Sequence, residues 1–147
     1  NRYAMTALAI MDNPYFVISD VEVKRDGYSY TIDTIRSLKK EYGEDASLFF
    51  IAGTDTIHEL PTWKYIDDLL KLCHFVGATR PDGSEMIDTI IEYFGALGKE
   101  KIHRLDTPEL EISSTDLRAR LQAGHSVRYM IPKSVVEYIY DNEIYVR

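Results

Sequence analysis

Leu48-Phe49-Phe50-Ile51-Ala52-Gly53-Thr54-Asp55 is the stretch that decides the fold. The run from Leu48 to Gly53 carries no polar side chain, is bounded by turn-forming residues, and is too short for a buried helix. A continuous apolar run of this length suits a strand covered on both faces, as in a parallel sheet. Thr54 and Asp55 follow without a spacer and open a short helix that Pro61 closes.

The same step recurs on both sides. Residues 65–72 are helical in pattern, and His74-Phe75-Val76-Gly77-Ala78 is a second apolar strand leading into the loop Arg80-Pro81-Asp82-Gly83. Residues 85–97 read as one amphipathic helix through Met86, Ile90 and Phe94, followed by a strand over 101–105. Upstream, Tyr28-Ser29-Tyr30-Thr31 leads into a helix with Ile32, Ile35 and Leu38 on one side and Gly43 as its stop. Residues 1–12 carry a helical stripe of Tyr3, Ala7 and Ile10, with Met5 and Leu8 beside it, ended by Asn13-Pro14. Residues 15–23 alternate as a strand would, and 24–27 make a turn. A helix opens near Ser113, and Pro132 starts another through Val135, Val136 and Ile139. Alternating strands and helices predict one α/β domain over 1–147, Rossmann-like, with a mostly parallel sheet and flanking helices. Ligands of such sheets sit beyond the carboxyl ends of the strands, and Gly53-Thr54-Asp55, the Arg80 loop and the Ser113 helix start all fall there.

Composition narrows the classes. Hydrophobic residues at 45% and charged residues at 28% are a globular balance, so a packed core is expected. A net charge of −7 argues against a general nucleic-acid surface, yet leaves room for a small anion in a local cationic pocket. The single cysteine, Cys73, excludes an internal disulfide and reads as a small buried apolar residue. No run reaches membrane-spanning length, so a soluble cytoplasmic protein is expected; a homo-oligomer is left open. His58, His74, His103 and His125 lack metal-ligand spacing and read as structural or exposed.

Ile112-Ser113-Ser114-Thr115-Asp116-Leu117-Arg118 begins a helix with three hydroxyls. Unpaired N–H groups and the positive end of the peptide dipoles make such a start a phosphate site, and Arg118, one turn after Ser114, adds a planar fork of donors. Capping by Ser113 or Ser114 without any ligand is the commoner use of these residue types. Gly53-x-Asp55 likewise serves either a nucleotide, through an open backbone and a carboxylate, or simply a helix cap and packing. Trp63, the only tryptophan, offers a flat face to an aromatic ring or a place in the core. By residue type Thr31 reads as a helix cap, and Arg80 is a ligand at the strand end or a solvated loop charge.

Taken together, Ile-Ser-Ser-Thr-x-x-Arg, the following Ser126-Val127-Arg128-Tyr129-Met130-Ile131-Pro132, Leu60-Pro61-Thr62-Trp63, Ser29-Tyr30-Thr31-Ile32-Asp33-Thr34 and Gly53-x-Asp55 resemble the bacterial nicotinate-nucleotide adenylyltransferases of the nucleotidyltransferase superfamily. The resemblance runs from Arg2 to Tyr145. It implies an ATP site at Gly53, Asp55, Ile112, Ser113, Ser114 and Arg118, with Arg118 neutralising phosphate charge in catalysis. It implies a mononucleotide site at Thr31, Trp63 and Arg80, and Mg2+ accompanying ATP. It also implies a preceding strand and the loop Gly-x-Phe-x-Pro-x-His-x-Gly-His, whose histidines contact the ATP phosphates. That loop is not in this sequence, and the first helix has no cap before it, so an N-terminally incomplete domain is expected. The implied reaction is adenylyl transfer from ATP to nicotinate mononucleotide, giving deamido-NAD and pyrophosphate. Alternatives are a receiver-type module with Asp55 as phospho-acceptor, a nucleotide-binding module without catalysis, and an adenylyltransferase for another acceptor such as pantetheine phosphate.

Overall fold

The structure, a computed structural model, describes residues 1–79, 84–108 and 110–146. It divides into two compact units, one built from Asn1–Ser19 and the chain from Leu110 onward, the other from the residues between.

The middle unit holds the sheet. Strands β1 (Phe49–Gly53), β2 (His74–Thr79) and β3 (Ile102–Asp106) lie in that order and are parallel throughout, with Ile51 opposite Val76 and Gly77 opposite Arg104. Around them run α2 (Thr31–Tyr42), α3 (Thr54–His58), a 3₁₀ turn (Leu60–Thr62), α4 (Ile66–Leu72), α5 (Ser84–Tyr93) and α6 (Gly95–Lys101). Ile32, Ile35, Ile57, Leu69, Ile87 and Ile90 from the helices enclose Phe75 and Ile102 in one core. Cys73 is buried there as expected, and burial pushes its thiol up to about 11.

Three expectations are corrected. First, the apolar run at β1 is not covered on both faces. Phe50 and Ala52 pack into the core, whereas Phe49 and Ile51 are 55% and 67% exposed, because the core residues of the helices gather on the Phe75 side. Second, residues 15–23 form no strand. Tyr15, Phe16, Val17 and Val23 face solvent, residues 21–24 turn, and none of the described strands pairs with this stretch. Alternation alone does not make a strand when the backbone finds no ladder. Third, the amphipathic segment after residue 84 is two helices. Gly95, at φ +58°, takes a left-handed conformation that ends α5 and starts α6. Gly98 then lies against the Ile91 carbonyl, an approach that any β-carbon would obstruct.

The other unit contains α1 (Arg2–Ile10), α7 (Ser114–Gln122) and α8 (Lys133–Asp141). Val127, Val135, Val136, Ile139 and Leu121 form its core, and α1 packs on it through Met5, Leu8 and Ala9. The packed stripe of α1 is thus turned from the Tyr3 side, which stays 43% exposed. Ser134 Oγ donates to the Leu8 carbonyl at 3.0 Å and the Tyr138 hydroxyl reaches Asn1 Oδ1 at 3.1 Å, joining the two ends of the chain. Among the described residues no helix is long and apolar enough to cross a membrane.

Candidate active site

At the carboxyl end of β1 the chain passes directly into α3, with Gly53 as the N-cap residue. A β-carbon at Gly53 would meet nothing within 4 Å, so this glycine is not needed for packing; it leaves the backbone approachable. Asp55 sits exposed in the first turn of α3 and makes no side-chain cap. Its carboxylate engages no other described residue. Thr54 Oγ1 donates to the Ala78 carbonyl at 3.4 Å, which ties the start of α3 to the end of β2. The ends of β2 and β3 are joined in turn by Thr107, whose N–H and hydroxyl both donate to the Thr79 carbonyl at 3.0 Å. Arg80, predicted at the next position of this rim, lies outside the described residues.

Trp63 follows the 3₁₀ turn, held by its N–H to the Leu60 carbonyl at 3.0 Å. Its indole makes T-shaped contacts with Phe50 (5.7 Å, 85°) and Phe75 (6.1 Å, 77°) yet stays half-buried, so it is at once a core anchor and an accessible aromatic surface. Thr31 is the first residue of α2. The cap position belongs to Tyr30, and no side chain caps this helix, so the capping reading of Thr31 is not what the structure displays. Thr34, one turn on, is occupied elsewhere: it donates to Glu22 Oε1 at 2.7 Å and accepts from Arg25 Nη1 at 3.2 Å. A link between the two segments escaped the sequence reading. Lys64 Nζ donates to the Tyr30 hydroxyl at 2.9 Å and lies 4.5 Å from the centre of its ring. The only prior hint was the place of Lys64 beside the lone tryptophan.

In the other unit, Ser113 is the N-cap of α7 and its Oγ accepts from the Asp116 N–H at 3.0 Å. Capping and anion binding were alternatives for this stretch, and capping is present. It uses one hydroxyl only. Ser114, Thr115 and Arg118 remain exposed, and Ile112 is 42% exposed. The Arg118 guanidinium folds back along the first turn, with Nη2 3.4 Å from Thr115 Oγ1 rather than beside Ser114. The uncapped N–H groups, the exposed Ser114 hydroxyl and this cation together present donors and positive charge to an anion.

The histidines divide. His58 and His125 are exposed. His74 and His103, read as scattered, meet across β2 and β3 at 2.9 Å. Among the described residues no group of three or more histidine, cysteine or acidic side chains could hold a metal ion.

Comparison with known proteins adds a second line of evidence. The cytidylyltransferase-like family matches residues 1–120. A protein of Thermoanaerobacter sp. (strain X514) named as a probable nicotinate-nucleotide adenylyltransferase is 46% identical, over 99% of this chain and 69% of its own length. Its counterpart in Moorella thermoacetica is 42% identical over 98% of this chain and 67% of its own. Among solved structures, the Plasmodium falciparum nicotinic acid mononucleotide adenylyltransferase complexed with APC superposes with a TM-score of 0.73 at 19% identity, covering 98% of this chain and 74% of that one. The same enzyme complexed with NaAD gives 0.72 at 20% identity, covering 98% and 72%. At such identities the structural likeness speaks for the fold.

Proposed function

The chain belongs to the cytidylyltransferase-like family, among the nicotinate-nucleotide adenylyltransferases, and we propose from this how its residues divide the work. The activity is adenylyl transfer in NAD biosynthesis. A phosphate oxygen of nicotinate mononucleotide attacks the α-phosphorus of ATP, a new P–O bond forms, the α–β bridging bond breaks, and pyrophosphate leaves with the bridging oxygen. No protein nucleophile is required. The protein's contribution is to hold two anions in line and to offset charge that builds on the transferring group.

In this reading the α7 start grips phosphate. The N–H groups of its first turn, the hydroxyl of Ser114 and the Arg118 guanidinium donate to phosphate oxygens, with Ile112 packing beside them and Ser113 keeping the turn in shape. Gly53 and Asp55 line the nucleotide site, where the exposed carboxylate accepts from ribose hydroxyls or an adenine amino group. Trp63 stacks on the pyridine ring, Thr31 contacts the pyridine substituent, and Arg80 completes that side. An Mg2+ ion is expected to arrive with the triphosphate of ATP. When bound, Mg2+ would offset negative charge on the phosphates; every other role stays with the side chains named. The cytoplasm is the compartment this reading implies.

The observation that carries the reading is the 46% identity to a named adenylyltransferase across nearly the whole chain. The test is incubation with ATP, Mg2+ and nicotinate mononucleotide, followed by chromatographic detection of deamido-NAD. Product with pantetheine phosphate in place of the mononucleotide, and none with the mononucleotide itself, would overturn the acceptor assignment.

A further inference from the structure

We infer that Lys64 and Tyr30 form a clasp that fixes Trp63 relative to the start of α2 and thereby sets the affinity for the pyridine mononucleotide. The inference rests on the proposed roles of Trp63 and Thr31, and makes Lys64 a positioning residue within that site. Three observations carry it.

The contact joins segments distant in sequence and uses two features of one ring: Lys64 Nζ donates to the Tyr30 hydroxyl at 2.9 Å while lying 4.5 Å from the ring centre. Each partner is the immediate neighbour of a proposed pyridine contact, Lys64 of Trp63 and Tyr30 of Thr31. A shift of either segment is therefore passed directly to the contact residue.

The backbone of each segment adds a second observation. The α2 helix has no side-chain cap at its start. On the other side, Tyr65 is held at φ +60°, a left-handed conformation that bulky side chains avoid, in the two-residue link between Trp63 and α4. A strained link relaxes unless something beyond it holds the geometry. Among the described residues, the bond from Lys64 to Tyr30 is the one side-chain hydrogen bond that ties this link to another segment.

Finally, the bond raises the Lys64 pKa above its ordinary value, chiefly through the Tyr30 hydroxyl, the direction expected when an ammonium gains a hydrogen-bond acceptor.

Trp63 is the only tryptophan, so its emission reports on the site directly. The experiment uses the whole chain in two arms: acrylamide quenching of Trp63 without ligand, and titration with nicotinate mononucleotide. Lys64→Met and Tyr30→Phe should each make Trp63 more accessible and weaken mononucleotide binding about threefold. The double variant should be no worse than either single, the mark of one shared contact. Lys64→Arg should retain most of the affinity, and ATP binding should not move. Should Lys64→Met fail to fold, Lys64→Gln carries the same test. Unchanged quenching and affinity in both single variants, or losses that simply add, would overturn the clasp. A control separates the two levels: if Trp63→Phe, followed by calorimetry, binds the mononucleotide as tightly as the parent, the pyridine role of Trp63 falls and the inference with it. If Trp63→Phe weakens binding while the clasp variants do not, only the clasp is wrong.

Discussion

His74 Nδ1 and His103 Nε2 lie 2.9 Å apart, a bond between two imidazoles that requires one nitrogen to carry a proton and the other to be bare. The rings stack at 5.1 Å and 24°, and Phe49 stacks on His74 from the adjacent strand at 4.8 Å and 21°. The pKa of His74 is lowered, first by burial and then by the charges of Lys101 and His103, with Glu100 pulling the other way. The folded state therefore binds the proton less readily than the unfolded chain, whose imidazole titrates near 6.5. Neutral His74 contributes its full stability above that value, and the contribution is lost as pH falls through its lowered pKa. Urea unfolding midpoints at pH 7.5 and pH 5.0 should show a larger acid loss for the parent than for His74→Gln. Equal losses would remove this pair from the acid response.

Arg118 is exposed and its one side-chain hydrogen bond among the described residues is to Thr115, so its truncation leaves no buried group unpaired and should spare the fold. If it serves phosphate, Arg118→Ala should lower kcat/KM for ATP by roughly 10- to 100-fold, the worth of a charged hydrogen bond. The mononucleotide KM should change far less. Steady-state kinetics with each substrate varied in turn makes the comparison, and equal losses for both would return Arg118 to a solvent-facing charge.

The two roles of Trp63 separate in one variant. Trp63→Ala removes edge contacts with Phe50 and Phe75, and should cost about 2 kcal/mol of stability. It should also raise the mononucleotide KM about tenfold while leaving the ATP KM close to its parent value. Thermal melting and kinetics on the same preparation distinguish the effects; a lowered Tm with unchanged KM would leave the indole a purely structural residue.

Gly98 is required by contact rather than by backbone conformation. In Gly98→Ala the new methyl group would overlap the Ile91 carbonyl, which is main chain and cannot swing aside. The expected cost is about 1–3 kcal/mol, typical of overpacking. Gly53→Ala, which meets nothing within 4 Å, is the matched control and should melt close to the parent. Loss of ATP affinity by Gly53→Ala without loss of stability would support the open-backbone role of that residue.

Local patterns determined the class of fold and most of its elements. Apolar runs marked β1 and β2, the i, i+3 spacing of Ile32 and Ile35 marked α2, and Gly43 and Pro132 marked boundaries, because each depends on short-range periodicity or on the conformational limits of one residue. The candidate site residues came from a different source: their short motifs resemble those of a family. Only tertiary structure decided the rest. Whether Phe49 and Ile51 are covered depends on which face of the sheet the helices choose, and whether residues 15–23 become a strand depends on a partner ladder elsewhere. His74 finding His103 and Lys64 finding Tyr30 are meetings across 29 and 34 positions that spacing cannot reveal. Periodicity describes what a segment can bury; which atoms meet it is a property of the packed chain.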